Sequence, residues 1–471
     1  MIAATEPLYT AAEMRAAEER YPGYPDTIPE LMERAGGAAA EVALGLFPAA
    51  RRWTLVCGGG SNGGDGRVMG RWLVEAGRET RVVDAKAGER ELGEADVIVD
   101  ALFGTGFSGE PRPDASALIE AMNAAGAPVF AIDLPSGVDA STGEAAGAAV
   151  CATATVTFHG RKVGLAVAPG RFHAGEVHVA DIGLEPAQTE HRLVTRAILD
   201  QVPRRTSRDN KYTAGHVLVV GGSRGLTGAP SLSAMAAMRA DAGYVTVAAP
   251  ASTLPVFEGR LLEAVKRPLP DGEGEVGDGA AAVVLELAGK AHALALGPGL
   301  GRGAAAKELV RSVVAEVELP LVVDADALFE LEPGAWPAPR VLTPHEGELA
   351  RLLGRASSEI AAHRLAAVRE AAERFACVVL LKGADTLVTA PDRGVLVVAL
   401  GLPSLATAGS GDVLTGIVGA FLAKGMEPQW AAAAAAAAQQ VASVAARQRS
   451  GLVASDLIEA LPRALEGGER D

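Results

Sequence analysis

The sequence predicts two α/β domains in tandem, the first a doubly wound parallel sheet with helices on both faces. Short apolar strand-like runs alternate with helical stretches along most of the chain, and glycine-bearing loops follow several of the strands. A polar, irregular stretch at residues 185–212, with two prolines and a basic cluster, interrupts that alternation midway. The 471 residues fit two or three domains at roughly 100–200 residues each. The expected division is 1–200 and 201–471.

In the first domain, Thr10 with Glu13 three residues on forms a capping box that opens a helix through about Arg20, and a second helix spans Asp26 to Phe47. WTLVC is a strand, GGGSNGGDG a glycine loop, Arg67 to Ala76 a helix, TRVVD and ADVIVD strands, Ser116 to Ala125 a helix and PVFAID a strand. In the second domain HVLVVGG, YVTVAAP, ALALGPGLG, LPLVVDADAL, VLTPHEGEL and CVVLLKGAD read as strands with their loops. Helices are expected near Ala229 to Ala242 and Ser357 to Phe375, followed by the hairpin TLVTAPDRGVLVVAL and the loop-to-helix segment TAGSGDVLTG.

Composition narrows the function. The formal charge of −15 with no dense Lys/Arg run, and 4% aromatics, exclude a nucleic-acid footprint. Cys57, Cys151 and Cys377 are odd in number and lie mainly among apolar residues and glycine, and so read as reduced core positions. No secretory leader or membrane span is expected. The Ala431 to Ala438 run, bounded by Gln429, Gln439 and Gln440, reads as a packed helix, and the expected location is the cytoplasm.

Gly58, Gly60 and Gly63 stand at G-x-G-x-x-G spacing between a strand and a helix, with Asp84 ending the next strand. This is the dinucleotide fingerprint in its required context, where glycines admit a phosphate to backbone N–H groups and an acid accepts ribose hydroxyls. A tight glycine turn without ligand gives the same spacing. Asn62, Asp65, Asp100, Asp133 and Ser136 all fall at the carboxyl ends of predicted strands, the edge where open α/β sheets bind ligands. Asn62, Asp100 and Ser136 offer hard oxygens suited to an alkali or alkaline-earth cation, although each also serves as a loop cap elsewhere.

The combination GGGSNGGDG, DALFGTGFSGEP and DLPSGVDASTG, preceded by MERAG, resembles the NAD(P)H-hydrate epimerase family over about residues 8–185. That resemblance implies a Rossmann-like fold and interconversion of the R and S forms of NADHX and NADPHX, nicotinamide cofactors damaged by addition of water. It implies potassium on Asn62, Asp100 and Ser136. It also implies contacts to the hydrated cofactor from Ser61, Asn62, Gly63, Gly64 and Asp65, from Gly104, Thr105, Gly106, Phe107, Ser108, Gly109 and Glu110, and from Asp133. Asp133 is the candidate acid/base group, since inverting a hemiaminal-like carbon moves a proton on and off its hydroxyl. The family loop usually reads GKGNNGGDG. Here Gly59 replaces the lysine and Ser61 the first asparagine, while Asn62 keeps the second.

In the second domain, GSGDVLTG combines a glycine turn with an acid at a helix start. Backbone N–H groups of Gly409 to Gly411 can hold a phosphate, and Asp412 is placed to take a proton from an attacking hydroxyl; a plain helix cap fits the same four residues. KGADT and TPHEGE end neighbouring strands, as does GPGLG. Together these motifs resemble the ribokinase-like superfamily over about residues 205–465, and its ADP- or ATP-dependent NAD(P)H-hydrate dehydratase branch in particular. His345 in TPHEGE, where the superfamily's kinases show asparagine, points to that branch, as do KYTAGHVLVVGGS and LTGAP.

By resemblance Ala229, Gly299, His345 and Asp412 bind the S-hydrate. Lys382, Gly383, Ala384, Asp385, Thr386, Thr407, Ala408, Gly409, Ser410 and Gly411 cradle ADP, and Glu348 holds Mg2+ through water. Asp412 acts as base: the C6 hydroxyl attacks the terminal phosphoryl of ADP and leaves as phosphate, giving AMP and the restored dihydropyridine. The expected partners are NADHX, NADPHX and ADP or ATP, with K+ and Mg2+ as cofactors and self-association into a homo-oligomer. The alternative is a vitamin-precursor or sugar kinase of the ribokinase type carrying a non-catalytic nucleotide-binding first module.

Overall fold

The computed structural model describes residues 4–448 and 450–466. Its strands are β1 (Thr5–Pro7), β2 (Arg52–Cys57), β3 (Glu79–Asp84), β4 (Val97–Ala101), β5 (Val129–Ile132), β6 (Ala154–Phe158), β7 (Glu176–Ala180), β8 (Arg192–Val194), β9 (His216–Val220), β10 (Tyr244–Pro250) and β11 (Val265–Leu269). A two-strand ribbon of β12 (Asp271–Gly272) and β13 (Glu275–Val276) follows. The remaining strands are β14 (Ala293–Leu296), β15 (Leu321–Val323), β16 (Arg340–Leu342), β17 (Val378–Leu381), β18 (Thr386–Thr389) and β19 (Leu396–Val398). One compact unit comprises Pro7–His191 with the short segment Ala361–Arg364; the rest of the described chain forms the other. The division therefore falls ahead of residue 200, and β8 belongs to the second unit.

The first unit carries six parallel strands in the order β3-β2-β4-β5-β6-β7. Alternation along each strand sends Leu55, Val99, Phe130 and Ile132 to one face, where Ala35, Ala39, Met69 and Leu73 from helices Ile28–Leu46 and Ser61–Glu75 cover them. Val56 and Ile98 turn to the other face, under Leu118, Ile119 and Met122 of helix Pro113–Ala124. The capping box at Thr10 and Glu13 is present, opening helix Ala11–Glu19.

The second unit carries an eleven-stranded sheet in the order β1-β8-β19-β18-β17-β16-β15-β14-β9-β10-β11. From β17 to β11 all neighbours are parallel; β18 and β19 form the expected antiparallel hairpin, and β18 also pairs antiparallel with β17. Helices Gly228–Arg239, Ser410–Ala423, Pro428–Ala445 and Ala454–Glu466 share one hydrophobic core. Ala431–Ala438 is fully inside it, so that run is a packed helix. Among the described residues no helix is long and apolar enough to cross a membrane.

Three local expectations change. The helix expected from Arg67 begins at Ser61, because the glycines that suggested an extended loop pack closely enough to be wound into its first turns. The helix expected over Ser357 to Phe375 is two helices, Ser357–Ala362 and Arg364–Phe375. Cys57 and Cys377 are buried, whereas Cys151, between β5 and β6, is exposed, with its Sγ 3.7 Å from His173 Nδ1.

Helix Ser410–Ala423 is fixed by a close crossing. A Cβ on Gly416 would stand 2.1 Å from the Ser233 carbonyl oxygen, and the Ser233 hydroxyl donates to the Asp412 carbonyl at 2.8 Å. Gly416→Ala therefore separates the two helices and costs about 1–3 kcal/mol. Gly45→Ala meets nothing within 4 Å and leaves stability unchanged or slightly raised. Calorimetric melting of the two variants checks the contrast.

Two candidate active sites

In the first unit the carboxyl ends of β2, β4, β5 and β6 open into a cavity of 690 Å³. Its wall includes Ser61, Asn62, Asp65, Asp133 and Lys162, along with residues 104–108. Helix Ala11–Glu19 supplies Met14, Arg15 and Glu18. Asp133 leaves β5 in the left-handed region at φ 67°, a conformation that turns its carboxylate into the cavity wall. Its Oδ1 lies 2.7 Å from the buried Lys162 ammonium and accepts from the Thr157 hydroxyl at 3.3 Å; its Oδ2 accepts from the Thr105 N–H at 3.1 Å. Lys162 also donates to Thr157 Oγ1 and the Phe158 carbonyl, both at 2.9 Å.

Asp100 and Ser136 lie fully buried outside the cavity wall. Ser136 donates through its hydroxyl to Asp100 Oδ1 at 2.6 Å and through its N–H to Oδ2 at 2.7 Å, while its Oγ accepts from the Phe103 N–H at 2.8 Å. Burial pushes the Asp100 carboxyl up to about 6 against these donors. Asn62 donates to the Phe103 carbonyl at 2.8 Å, which leaves its Oδ1 buried with no hydrogen-bond partner. An orphaned amide oxygen, a hydroxyl and a buried carboxylate meeting around Phe103 fit a hard monovalent cation. Among the described residues no group of three or more His, Cys, Asp or Glu side chains is arranged to hold a metal.

Not every expected residue reaches the cavity. Gly63 packs on Gly58, where a Cβ would sit 2.0 Å from the Gly58 carbonyl oxygen; Gly64 packs under Met32; Gly109 and Glu110 lie beyond the wall. Asp84 is not free for a ribose. It accepts from Arg67 Nη2 at 2.8 Å and from the N–H groups of Lys86 and Ala87, while Arg67 ties the turn together through the Gly58 and Gly63 carbonyls. The fingerprint spacing thus builds a self-satisfied turn on that side. Lys162 escaped the motif reading because it follows β6, a short strand that the alternation did not flag.

In the second unit the ends of β9, β14, β15, β16 and β17 lie side by side. Lys382, after β17, reaches 2.7 Å to Oδ1 of Asp324, which is buried after β15; Thr415 donates to the other oxygen of Asp324 at 2.5 Å. A Cβ on Gly411 would stand 3.2 Å from the Lys382 ammonium, which places that charge beside the glycine turn. Gly409 takes φ 85° as the cap of helix Ser410–Ala423, and its missing side chain admits Leu232 and Ala454. Asp412 sits in the first helical turn. Burial first, and the neighbouring Asp324 carboxylate second, push it up to about 7, with Lys382 opposing.

His345 caps helix Glu346–Leu353: its Nδ1 accepts from the N–H groups of Gly347 and Glu348 at 3.0 and 3.3 Å, and Glu348 accepts from the His345 N–H at 2.9 Å. An accepting Nδ1 places the proton of a neutral ring on Nε2, which stands 3.5 Å from Glu348 Oε1. Glu348 is nearly buried in the same box and its charge acts on both Lys382 and Asp412. Gly299, at φ 59°, accepts through its carbonyl from Gly222 and Ser223, joining the β14 and β9 loops. Lys382 to Thr386 form the tight turn between β17 and β18, closed by Thr386 Oγ1 donating to the Gly383 carbonyl at 3.0 Å. Ala229 lies in the first turn of helix Gly228–Arg239, and Thr407 accepts from Ser410 just ahead of the glycine turn. Asp324 carries no motif beyond the repeated acid of VVDAD, and Thr415 lies within GSGDVLTG, one turn after Asp412, without standing out there.

Comparison with known proteins follows this division. A family model described as NAD(P)H-hydrate dehydratase matches residues 217–463, and one described as YjeF-related protein N-terminus matches 29–92 and 80–164. The bifunctional NAD(P)H-hydrate repair enzyme Nnr of Moorella thermoacetica is 39% identical, covering 98% of this chain and 97% of that protein. The enzyme of the same name from Escherichia coli is 34% identical over 93% of this chain and 89% of its own. A crystal structure of the ADP/ATP-dependent NAD(P)H-hydrate dehydratase from Bacillus subtilis, co-crystallised with ATP and Mg2+, superposes with TM-score 0.51 at 26% identity, covering 58% of this chain and 96% of that one. With both domains matched in order and relatives aligned over nearly its full length, this chain belongs to the bifunctional NAD(P)H-hydrate repair enzymes.

Proposed function

We propose that this protein repairs hydrated nicotinamide cofactors in two steps: the first unit interconverts R- and S-NAD(P)HX, and the second dehydrates the S form to NAD(P)H using ADP or ATP. One observation carries the reading. Each sheet presents, at the carboxyl ends of its parallel strands, a Lys–Asp pair at 2.7 Å beside a further carboxyl placed to move a proton.

In the second unit Asp412 takes the proton of the substrate hydroxyl. Lys382, beside the Gly409–Gly411 turn, lies where phosphate charge collects, and the N–H groups of that turn add to it. His345 offers its Nε2 proton to the bound hydrate, with Gly299 and Ala229 lining its approach. Glu348 would hold Mg2+ through water, and the ion would supply charge neutralisation to the transferring phosphoryl group. In the first unit Asp133, fixed by Lys162, Thr157 and Thr105, handles the hydroxyl proton of the hydrate. Asn62, Asp100 and Ser136 would hold potassium, whose charge would offset the buried carboxylate. A homo-oligomeric assembly and a cytoplasmic location complete the proposal.

The direct test follows absorbance at 340 nm on mixed R and S hydrates with ADP, Mg2+ and K+. Full recovery of reduced cofactor, faster than spontaneous epimerisation permits, is the expected result; recovery that stalls at the S fraction would remove the epimerase from the reading. Lys162→Met is expected to lower epimerisation roughly 100-fold while dehydration of pure S hydrate in the same chain is unchanged.

Asp412→Asn separates catalysis from folding. A base near 7 gives dehydration a kcat/KM that climbs with pH through about 7, and the variant loses roughly 100-fold or more. The folded value lies above the ordinary 3.8, so wild-type stability is fully present below about 4 and falls as pH rises through 7. The asparagine variant should therefore melt higher than wild type at pH 8 and equally at pH 4, as read by thermal denaturation across pH.

A further inference from the structure

The carboxyl beside the Lys162–Asp133 pair in the first cavity has no step assigned to it above. Asp65 lies in the second turn of helix Ser61–Glu75, faces the cavity, and its carboxyl makes no hydrogen bond among the described residues. Around it stand Glu18 and Arg15 from helix Ala11–Glu19, Asp133 after β5 and Lys162 after β6. The two aspartates differ in their surroundings. Asp133 is ringed by donors, namely an ammonium, a hydroxyl and a backbone N–H, whereas Asp65 accepts no hydrogen bond among the described residues and feels the carboxylates of Asp133 and Glu18 more than the opposing Lys162.

Inversion at the hydrated carbon needs two such groups. Ring nitrogen and hydroxyl share that carbon, so no C–H bond has to break. The C–O bond cleaves with its electron pair on oxygen, the nitrogen lone pair closes a C=N bond, and the oxygen leaves as water once a proton is delivered. Water then adds to the opposite face and surrenders a proton to a base.

We propose that Asp65 is the general acid that delivers the proton to the departing hydroxyl, while Asp133, held by Lys162, accepts the proton from the water that adds on the other face. This rests on the epimerase reading of the first unit. Each inversion from R to S leaves Asp65 ionised and Asp133 protonated, the starting state for the reverse inversion; exchange with solvent resets it for another forward turn. Burial and the carboxylates of Asp133 and Glu18 push Asp65 up to about 8, so it carries a proton at neutral pH. Two carboxyls whose surroundings drive their proton occupancy apart are the arrangement an acid and a base require.

The experiment uses the full chain and its Asp65→Asn variant, following R/S interconversion by NMR without ADP across pH and in ¹⁸O-water. Thermal melting of the variant beside the wild type reports on folding of the first unit, and ADP-dependent dehydration of pure S hydrate reports on the second. The expected result is a fall in epimerisation kcat of about 100-fold or more with KM little changed. Wild-type kcat/KM should decline above about pH 8, and any residual activity of the variant should lack that decline. One ¹⁸O should enter per wild-type inversion. A variant with normal kcat, one altered only in KM, one that keeps the alkaline decline, or inversion without label would each overturn the assignment. A wild-type protein that dehydrates S hydrate yet never converts R would instead overturn the epimerase reading on which the assignment rests.

Discussion

A carboxylate taken out of water at the end of a parallel strand has to find donors or a cation, and both sheets are arranged around that demand. Asp324 is met by Lys382 and Thr415, Asp133 by Lys162, Thr157 and Thr105, and Asp100 by Ser136 and the Leu102 N–H. Most of these partners come from other strand ends, so the pairs join segments far apart in sequence. Asp65 and Asp412, which accept no such hydrogen bonds among the described residues, are pushed further up than the donor-held Asp100, by burial and by their carboxylate neighbours against an opposing lysine. Satisfying some acids and starving others of donors is how one sheet edge both holds its shape and keeps a titratable group near neutral pH.

This division explains what was legible in the sequence. Glycine turns and acids directly after apolar strands are local patterns, so Asn62, Asp100, Asp133, Ser136, Lys382 and Asp412 could be read from the order of the residues alone. Their partners could not. Lys162 and Asp324 are common residue types in plain surroundings that the order of the strands brings to the sheet edge, and Thr415 reaches Asp324 from the helix that carries Asp412. Asp84 failed in the opposite sense: it stands where the fingerprint requires an acid, yet Arg67 and two backbone donors already occupy it.

Local propensity misled in a similar way at the first glycine loop. The stretch of GGGSNGGDG from Ser61 to Gly66 winds into the helix, because tertiary packing against the Gly58 backbone and Ala101 accepts only a hydrogen at Gly63 and Gly66 and holds them there. The alanine run was the converse case. With small side chains on every face, Ala431–Ala438 is inside on all sides, and its helix lies within the core rather than along a surface.

The crossing at Gly416 reaches further than stability. Ser233 grips the Asp412 carbonyl, and the absent Gly416 side chain lets two helices meet backbone to backbone, so the backbone of Asp412, the base proposed above, is anchored at the crossing. A change buried at that crossing therefore shifts the start of the helix that bears Asp412 as well as loosening the core.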